Sequence, residues 1–270
     1  GPLQQIVVPP CPELLTRLQR AMAPAEPDLA EVGRIADADV AMAATLIRNA
    51  NGAAFAGSQP VATAGQAMNR LGLRQTAAIM TGFLARHALP VKSAQLQGFW
   101  EHATRRAVAM DTLAGQLPGL PGDLAWSYGL FSHVGLPVLM QSVRGYAGTM
   151  MEAAARKDRS FVATENANHR TDHAVVGALT ARAWRLAPAV VAAIRLHHSL
   201  ESLGERGTEP EVHTLVATGL VADHLLQRLA GQSSDADWSS YGGAALDWLH
   251  ASGDDLAHWE ELVAPRLDQL

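Results

Sequence analysis

The sequence predicts an all-α protein, and three observations carry that reading. Long β-branched alternating runs are absent, and the nearest approach to a strand, Val7-Val8, is cut short by Pro9-Pro10. Alanine, leucine and arginine recur instead at the three-to-four-residue spacing of a helical face. Ser, Thr, Asp, Asn, Gly and Pro stand where such runs begin and end.

Taken in order, Leu14, Leu15 and Leu18 put one apolar stripe on a helix over 12–22, closed by Pro24 and Pro27. Asp28 caps a helix through Val32 and Ile35, ending near Asp37. A third helix starts near Val40 and stops at Asn49-Ala50-Asn51-Gly52, whose Asn and Gly tolerate left-handed geometry. Thr63 caps a short helix ended by Gly72, and a longer one runs over 74–87. The polar stretch 90–97 reads as a boundary between two helical halves. Beyond it, helices are expected over 99–117, 123–133, 137–144, 146–155 and 160–166. Thr171 or Asn168 is the expected cap for 172–184, and Pro188 fits the first turn of a helix over 189–198. Residues 213–229, 244–250 and 256–267 complete the set, with polar loops expected over 199–211 and 231–240.

Composition bounds the function classes. A chain of 270 residues with 48% hydrophobic and 17% charged side chains has ample material for a packed core. The formal charge of −5 offers no electrostatic footprint for nucleic acid, so no DNA partner is expected. Cys11, the sole cysteine, can form neither an internal disulfide nor a cysteine zinc site, which suits a reducing compartment. The opening Gly1-Pro2-Leu3-Gln4-Gln5 has no charged or apolar leader character, and no apolar run approaches a membrane span. A cytoplasmic location without membrane attachment is the expectation.

Five places carry candidate chemistry: His102, His133, His173, the pair His197-His198, and Asp223, each expected on a different helix within apolar sequence. Imidazoles and a carboxylate converging from several helices are how α-helical proteins build one- or two-metal hydrolytic sites. His169 and His173 also stand four apart, but His169 is expected to precede the helix. Neither a Gly-x-Ser-x-Gly elbow nor a glycine-rich phosphate loop is present. Trp100, Trp126 and Trp184 read as core, whereas Trp238, Trp248 and Trp259 in the tail read as residues exposed to a partner. Arg105-Arg106 and Arg182/Arg185 read as solvated helix faces, with an anionic ligand as the alternative partner.

The succession Trp100-Glu101-His102, Phe131-Ser132-His133-Val134-Gly135, Asp172-His173 through Gly177, Ile194-Arg195-Leu196-His197-His198 and Val221-Ala222-Asp223 resembles the His…His-Asp…His…His…Asp order of HD-superfamily proteins. It is more closely similar to the HDOD family, bacterial domains related to HD phosphohydrolases and regarded as signalling outputs. Val8-Pro9-Pro10-Cys11-Pro12, Ala36 to Val40, Arg48 to Phe55 and Ala67 to Gly72 add to the resemblance, which spans about residues 8 to 225. It implies a multi-helical HDOD/HD-like bundle: an N-terminal helical subdomain over 8–90, a degenerate HD-like subdomain over 95–230, and a helical extension over 231–270. It also implies that His102, His133, His173, His197, His198 and Asp223 stand at the superfamily's metal-ligand positions. Val134 departs at the aspartate, Gly135-Leu136-Pro137 departs after it, and 199–211 holds no Gly-Tyr-Pro sequence.

Two-metal chemistry needs a bridging carboxylate, and hard ions need oxygen donors. With Val134 in that place the six positions read as vestigial, able to hold at most a single zinc ion weakly, and no cofactor is expected. The expected function is therefore a non-catalytic signalling or regulatory module that binds a protein partner or a small effector. The runner-up is a metal-dependent phosphohydrolase using Asp172 or Glu165 as substitute ligand, and a third reading places an anion in the old metal pocket.

Overall fold

A computed structural model describes residues 2–268 and 270, and among them there are fifteen α-helices and no strand. The first five are α1 (Glu13–Met22), α2 (Leu29–Asp37), α3 (Val40–Ala50), α4 (Ala64–Leu71) and α5 (Leu73–Ala88). After an irregular stretch with a 3-10 turn at Ala94–Leu96 come α6 (Phe99–Ala114), α7 (Gly122–Phe131), α8 (Gly135–Ser142), α9 (Tyr146–Ala155) and α10 (Phe161–His169). The chain closes with α11 (His173–Ala183), α12 (Pro188–Leu196), α13 (Pro210–Leu229), α14 (Ala236–Leu249) and α15 (Gly253–Leu267).

Side-chain caps account for seven of the fifteen starts. Asp28, Asp39, Thr63, Ser160, Asp172, Asp235 and Ser252 each accept a hydrogen bond from a first-turn amide, satisfying donors that an open helix end leaves bare. Three expectations are corrected. Asp172, not Thr171 or Asn168, caps α11, through Val175 N at 2.9 Å. The loop expected over 231–240 ends at Asp235, whose carboxylate caps α14 and starts it eight residues before Ala244. The helix expected to reach His133 stops at Phe131, and α8 begins at Gly135 with Pro137 in its first turn, where a missing N–H is harmless.

Buried apolar side chains from Leu15 in α1 to Leu267 in α15 form one continuous core. Indole donors stitch remote segments onto it. Trp184 donates to the carbonyl of Pro9 at 2.8 Å, and Trp100 donates to that of Leu89 at 2.9 Å. The tail tryptophans depart from expectation because the tail folds back. α14 packs on α13, α15 packs on α6, Trp259 is only 5% exposed, and half-buried Trp248 donates to Thr214 Oγ1. Arg266 ties α15 to α6 through Asp111 Oδ2 at 2.9 Å and Thr112 Oγ1 at 2.8 Å. Among the described residues no helix is long and apolar enough to cross a membrane.

Candidate functional site

Four histidines converge where α7, α11 and α12 end or begin. His133 lies in the turn between α7 and α8, His173 opens α11, and His197-His198 follow the last residue of α12. His133 and the pair therefore sit in turns, not on the helices expected for them. The turns come together because α8 and α11 touch backbone to backbone at Gly135 and Gly177. Ring centroids lie 5.7 Å apart for His133 and His173, 5.2 Å for His133 and His197, 4.7 Å for His173 and His198, and 4.0 Å for His197 and His198.

Hydrogen bonds set how these rings face. His173 Nδ1 donates to Glu165 Oε2 at 2.8 Å, and the other oxygen of Glu165 accepts from His173 N at 3.2 Å and from the Tyr146 hydroxyl. Glu165 is fully buried. His173 Nε2 and His198 Nε2 stand 2.8 Å apart. His197 Nδ1 donates to the Ile194 carbonyl at 2.6 Å, while its Nε2 is buried without a hydrogen-bond partner. Burial is the main cause that holds His133 and His197 well below the usual imidazole range; the Arg106 charge adds to it at His133, and His198 and His173 add to it at His197. Burial, aided by His173 and opposed by Asp172, pushes His198 down to about 3.

The remaining candidates lie outside the cluster of four rings. His102 is exposed on α6 and has no ring contact with the four. Asp223 Oδ1 accepts from Arg106 Nε at 2.9 Å, an ion pair joining α13 to α6. Arg106 is thus no solvated face: its side chain is only 15% exposed. Asp172 is occupied as a helix cap that also accepts from Asn166 Nδ2, and Glu165 holds His173 from behind. His169 turns to Thr149 Oγ1 at 2.7 Å, away from His173. Val134 is fully buried within the core. His102, His133, His197, His198, Arg106 and Asp223 share the wall of one cavity of about 380 Å³, with Trp238 of the tail closing a side. Residue order points to the histidines; the sequence reads Arg106 as a solvated face and Trp238 as exposed to a partner, and nothing local in it points to Tyr146.

The donor set fits a two-metal hydrolytic centre poorly. Val134, where the resemblance expects an acid, offers no donor atom, and Asp223 is engaged by a guanidinium. Three imidazoles, His173, His197 and His198, do present nitrogen atoms that all lie within 4.8 Å of one another.

Comparison with known proteins places this architecture. An uncharacterized protein of Treponema pallidum (strain Nichols) is 25% identical over 228 residues, which is 84% of this chain and 43% of that protein, so the chain spans less than half the length of the curated relative it matches. In fold, the chain is similar to a candidate signal transduction protein from Marinobacter aquaeolei VT8 (TM-score 0.75, 17% identity, 99% of this chain and 59% of that one). It is also similar to a candidate phosphohydrolase from Shewanella amazonensis SB2B (TM-score 0.77, 20% identity, 100% and 97%). The family model for the HDOD domain matches residues 8–200, and the chain belongs to the HDOD domain family.

Proposed function

We propose that this chain is a regulatory HDOD module that works by holding a small effector in the histidine-lined cavity and that does not hydrolyse phosphodiesters. The observation that carries the reading is the fully buried valine at 134, where the resemblance expects the acid that joins two metal ions. Removing that carboxylate removes the charge needed to hold two cations side by side and the base that orients their bridging hydroxide. A cavity of about 380 Å³ falls in the range of small-molecule sites and mixes apolar walls with a few polar groups. The signal transduction description of the Marinobacter fold relative agrees with this role, and the phosphohydrolase description of the Shewanella relative marks the alternative.

Two measurements separate them. Purified protein supplied in turn with Mn2+, Fe2+ and Zn2+ is assayed on bis(p-nitrophenyl) phosphate. The expected result is turnover no faster than the metal blank, and metal-dependent turnover that is lost in His173→Ala would establish the hydrolase instead. A nucleotide and metabolite panel, read by thermal shift and by quenching of Trp238 emission against a Trp238→Phe control, identifies the effector. A panel without any hit, alongside a protein that retains only partner-dependent behaviour, would move the function from the cavity to the surface.

A further inference from the structure

We infer that the cavity is built for a neutral polyhydroxyl ligand of sugar-like chemistry, read by the Tyr128 hydroxyl and the Gln227 amide oxygen along one face of α13. The inference rests on the effector reading and adds the chemical class of the effector. It draws on none of the histidines and needs neither a metal ion nor an anion.

Two polar groups on the cavity wall have nothing to bond. Tyr128, in α7, lines the cavity at only 3% exposure, and its hydroxyl makes no hydrogen bond among the described residues. Gly219 of α13 seats it: a Cβ there would lie 2.6 Å from Tyr128 Cε1 and 3.0 Å from the hydroxyl oxygen. Glycine inside a helix is costly, and at this position it makes the recess in which the ring lies. Gln227 is the second. Its Nε2 donates to Asp235 Oδ2 at 2.9 Å, a carboxylate that can only accept, which leaves Oε1 buried without a partner. Buried polar atoms are paired as a rule, so both groups are open to a ligand.

Their spacing gives the ligand its length. Gly219, Asp223 and Gln227 follow at four-residue steps, so they share a face of α13, and the last stands about 12 Å from the first. The Arg106–Asp223 pair occupies the middle step through Nε and Oδ1 alone. The terminal nitrogens of Arg106 and Oδ2 of Asp223 are left without hydrogen bonds among the described residues. Of the other acids and guanidinium on the wall, Asp235 is committed to Gln227 Nε2 and Trp238 N, and Arg105 and Asp237 are of opposite sign. No single-sign field selects an ion.

Donors and acceptors select the chemistry instead. A phosphate or carboxylate chain only accepts, so it would leave Gln227 Oε1 unmet and would face the spare oxygen of Asp223. A polyamine only donates and would be pressed against the Arg106 guanidinium. Hydroxyl groups do both, so one repeating unit meets the two-way Tyr128, the donors of Arg106 and the acceptor of Gln227 in turn. Val216 and Leu220 on the same wall suit the C–H surface of such a ligand.

Saturation-transfer NMR on the whole protein tests the class, with maltose, trehalose and sorbitol as neutral probes and citrate and spermidine as charged ones. Melting temperature alone would mislead for ligand binding, because sugars stabilise folded proteins by exclusion whether or not they bind. We expect transfer to a neutral probe that is unchanged between about 0.01 and 1 M salt. Tyr128→Phe and Gln227→Met should each weaken it by roughly 3–10-fold. Without ligand, Tyr128→Phe should melt no lower than the parent, since the hydroxyl it removes has no partner. A clear drop in that melting temperature, or neutral binding indifferent to both substitutions, would overturn the inference. Transfer to citrate or spermidine alone would overturn it and leave the effector reading standing. Silence from every probe here and from the metabolite panel would bring down both.

Discussion

A Cβ built on Gly135 would stand 2.0 Å from the carbonyl oxygen of His173. That contact is backbone against backbone, so no rotamer can relieve it, and it holds the His133 turn against the start of α11. Gly135→Ala is expected to push α8 off α11 and to lower the melting temperature by many degrees or leave the protein insoluble. Gly148→Ala in α9 meets nothing within 4 Å and should raise or preserve stability, since glycine inside a helix costs about 0.5–1 kcal/mol relative to alanine. Equal melting temperatures for the two variants would show that the close approach is not rigid.

Arg106 and Asp223 supply the second test. Their pair joins α6 to α13 at 2.9 Å, but the Asp223 side chain is 37% exposed, so water screens it. A double-mutant cycle with Arg106→Leu and Asp223→Asn, read by urea denaturation, should give a coupling of roughly 0.5–1 kcal/mol. A coupling near zero would mean that the two charges do not meet in solution and would return Asp223 to the pool of available ligands.

Much of the fold is legible in the sequence because helix starts are local events. Asp28 and Thr63 sit beside the amides they satisfy, so residue identity and spacing are enough. The start of α14 is less legible, because Gly231 to Ser240 is mostly polar and only the geometry of Asp235 decides where the helix begins. The histidine order was likewise visible, but partners set by tertiary packing were not. Arg106 meets Asp223 across 117 residues, and neither neighbourhood announces the other. Glu165 lies eight residues before His173, yet which way it points depends on the turn after α10, where Arg170 adopts a left-handed φ of 56°. At that position the sequence suggests a ligand and the structure makes it a support.

The tail gives a pH prediction. His224 stacks flat on Trp238, centroids 3.9 Å apart, and fixes α14 over the cavity. Burial, then the Arg228 charge, lowers the imidazole below its ordinary 6.5, against opposing contributions from Glu260 and Asp235. A lowered folded value means that, below pH 6.5, the unfolded chain binds a proton that the folded protein refuses. The contribution to stability is therefore complete above 6.5 and lost as pH falls toward the folded value. Urea midpoints measured at pH 7.5 and 5.5 should differ less in His224→Phe than in the parent protein. An unchanged difference would remove His224 from the acid response.

Asp172 distinguishes a cap from a ligand. Its Oδ1 accepts from Val175 N at 2.9 Å and its Oδ2 accepts from Asn166 Nδ2 of α10 at 2.8 Å, so both oxygens are committed. Asparagine caps a helix about as well as aspartate, whereas alanine forfeits the bond at a typical loss of about 1 kcal/mol. Asp172→Asn should therefore keep stability close to the parent, and Asp172→Ala should lower it by about that amount, both read by urea denaturation. A loss of stability in Asp172→Asn as large as that in Asp172→Ala would show that the carboxylate charge, and not the capping bond, is what the start of α11 depends on.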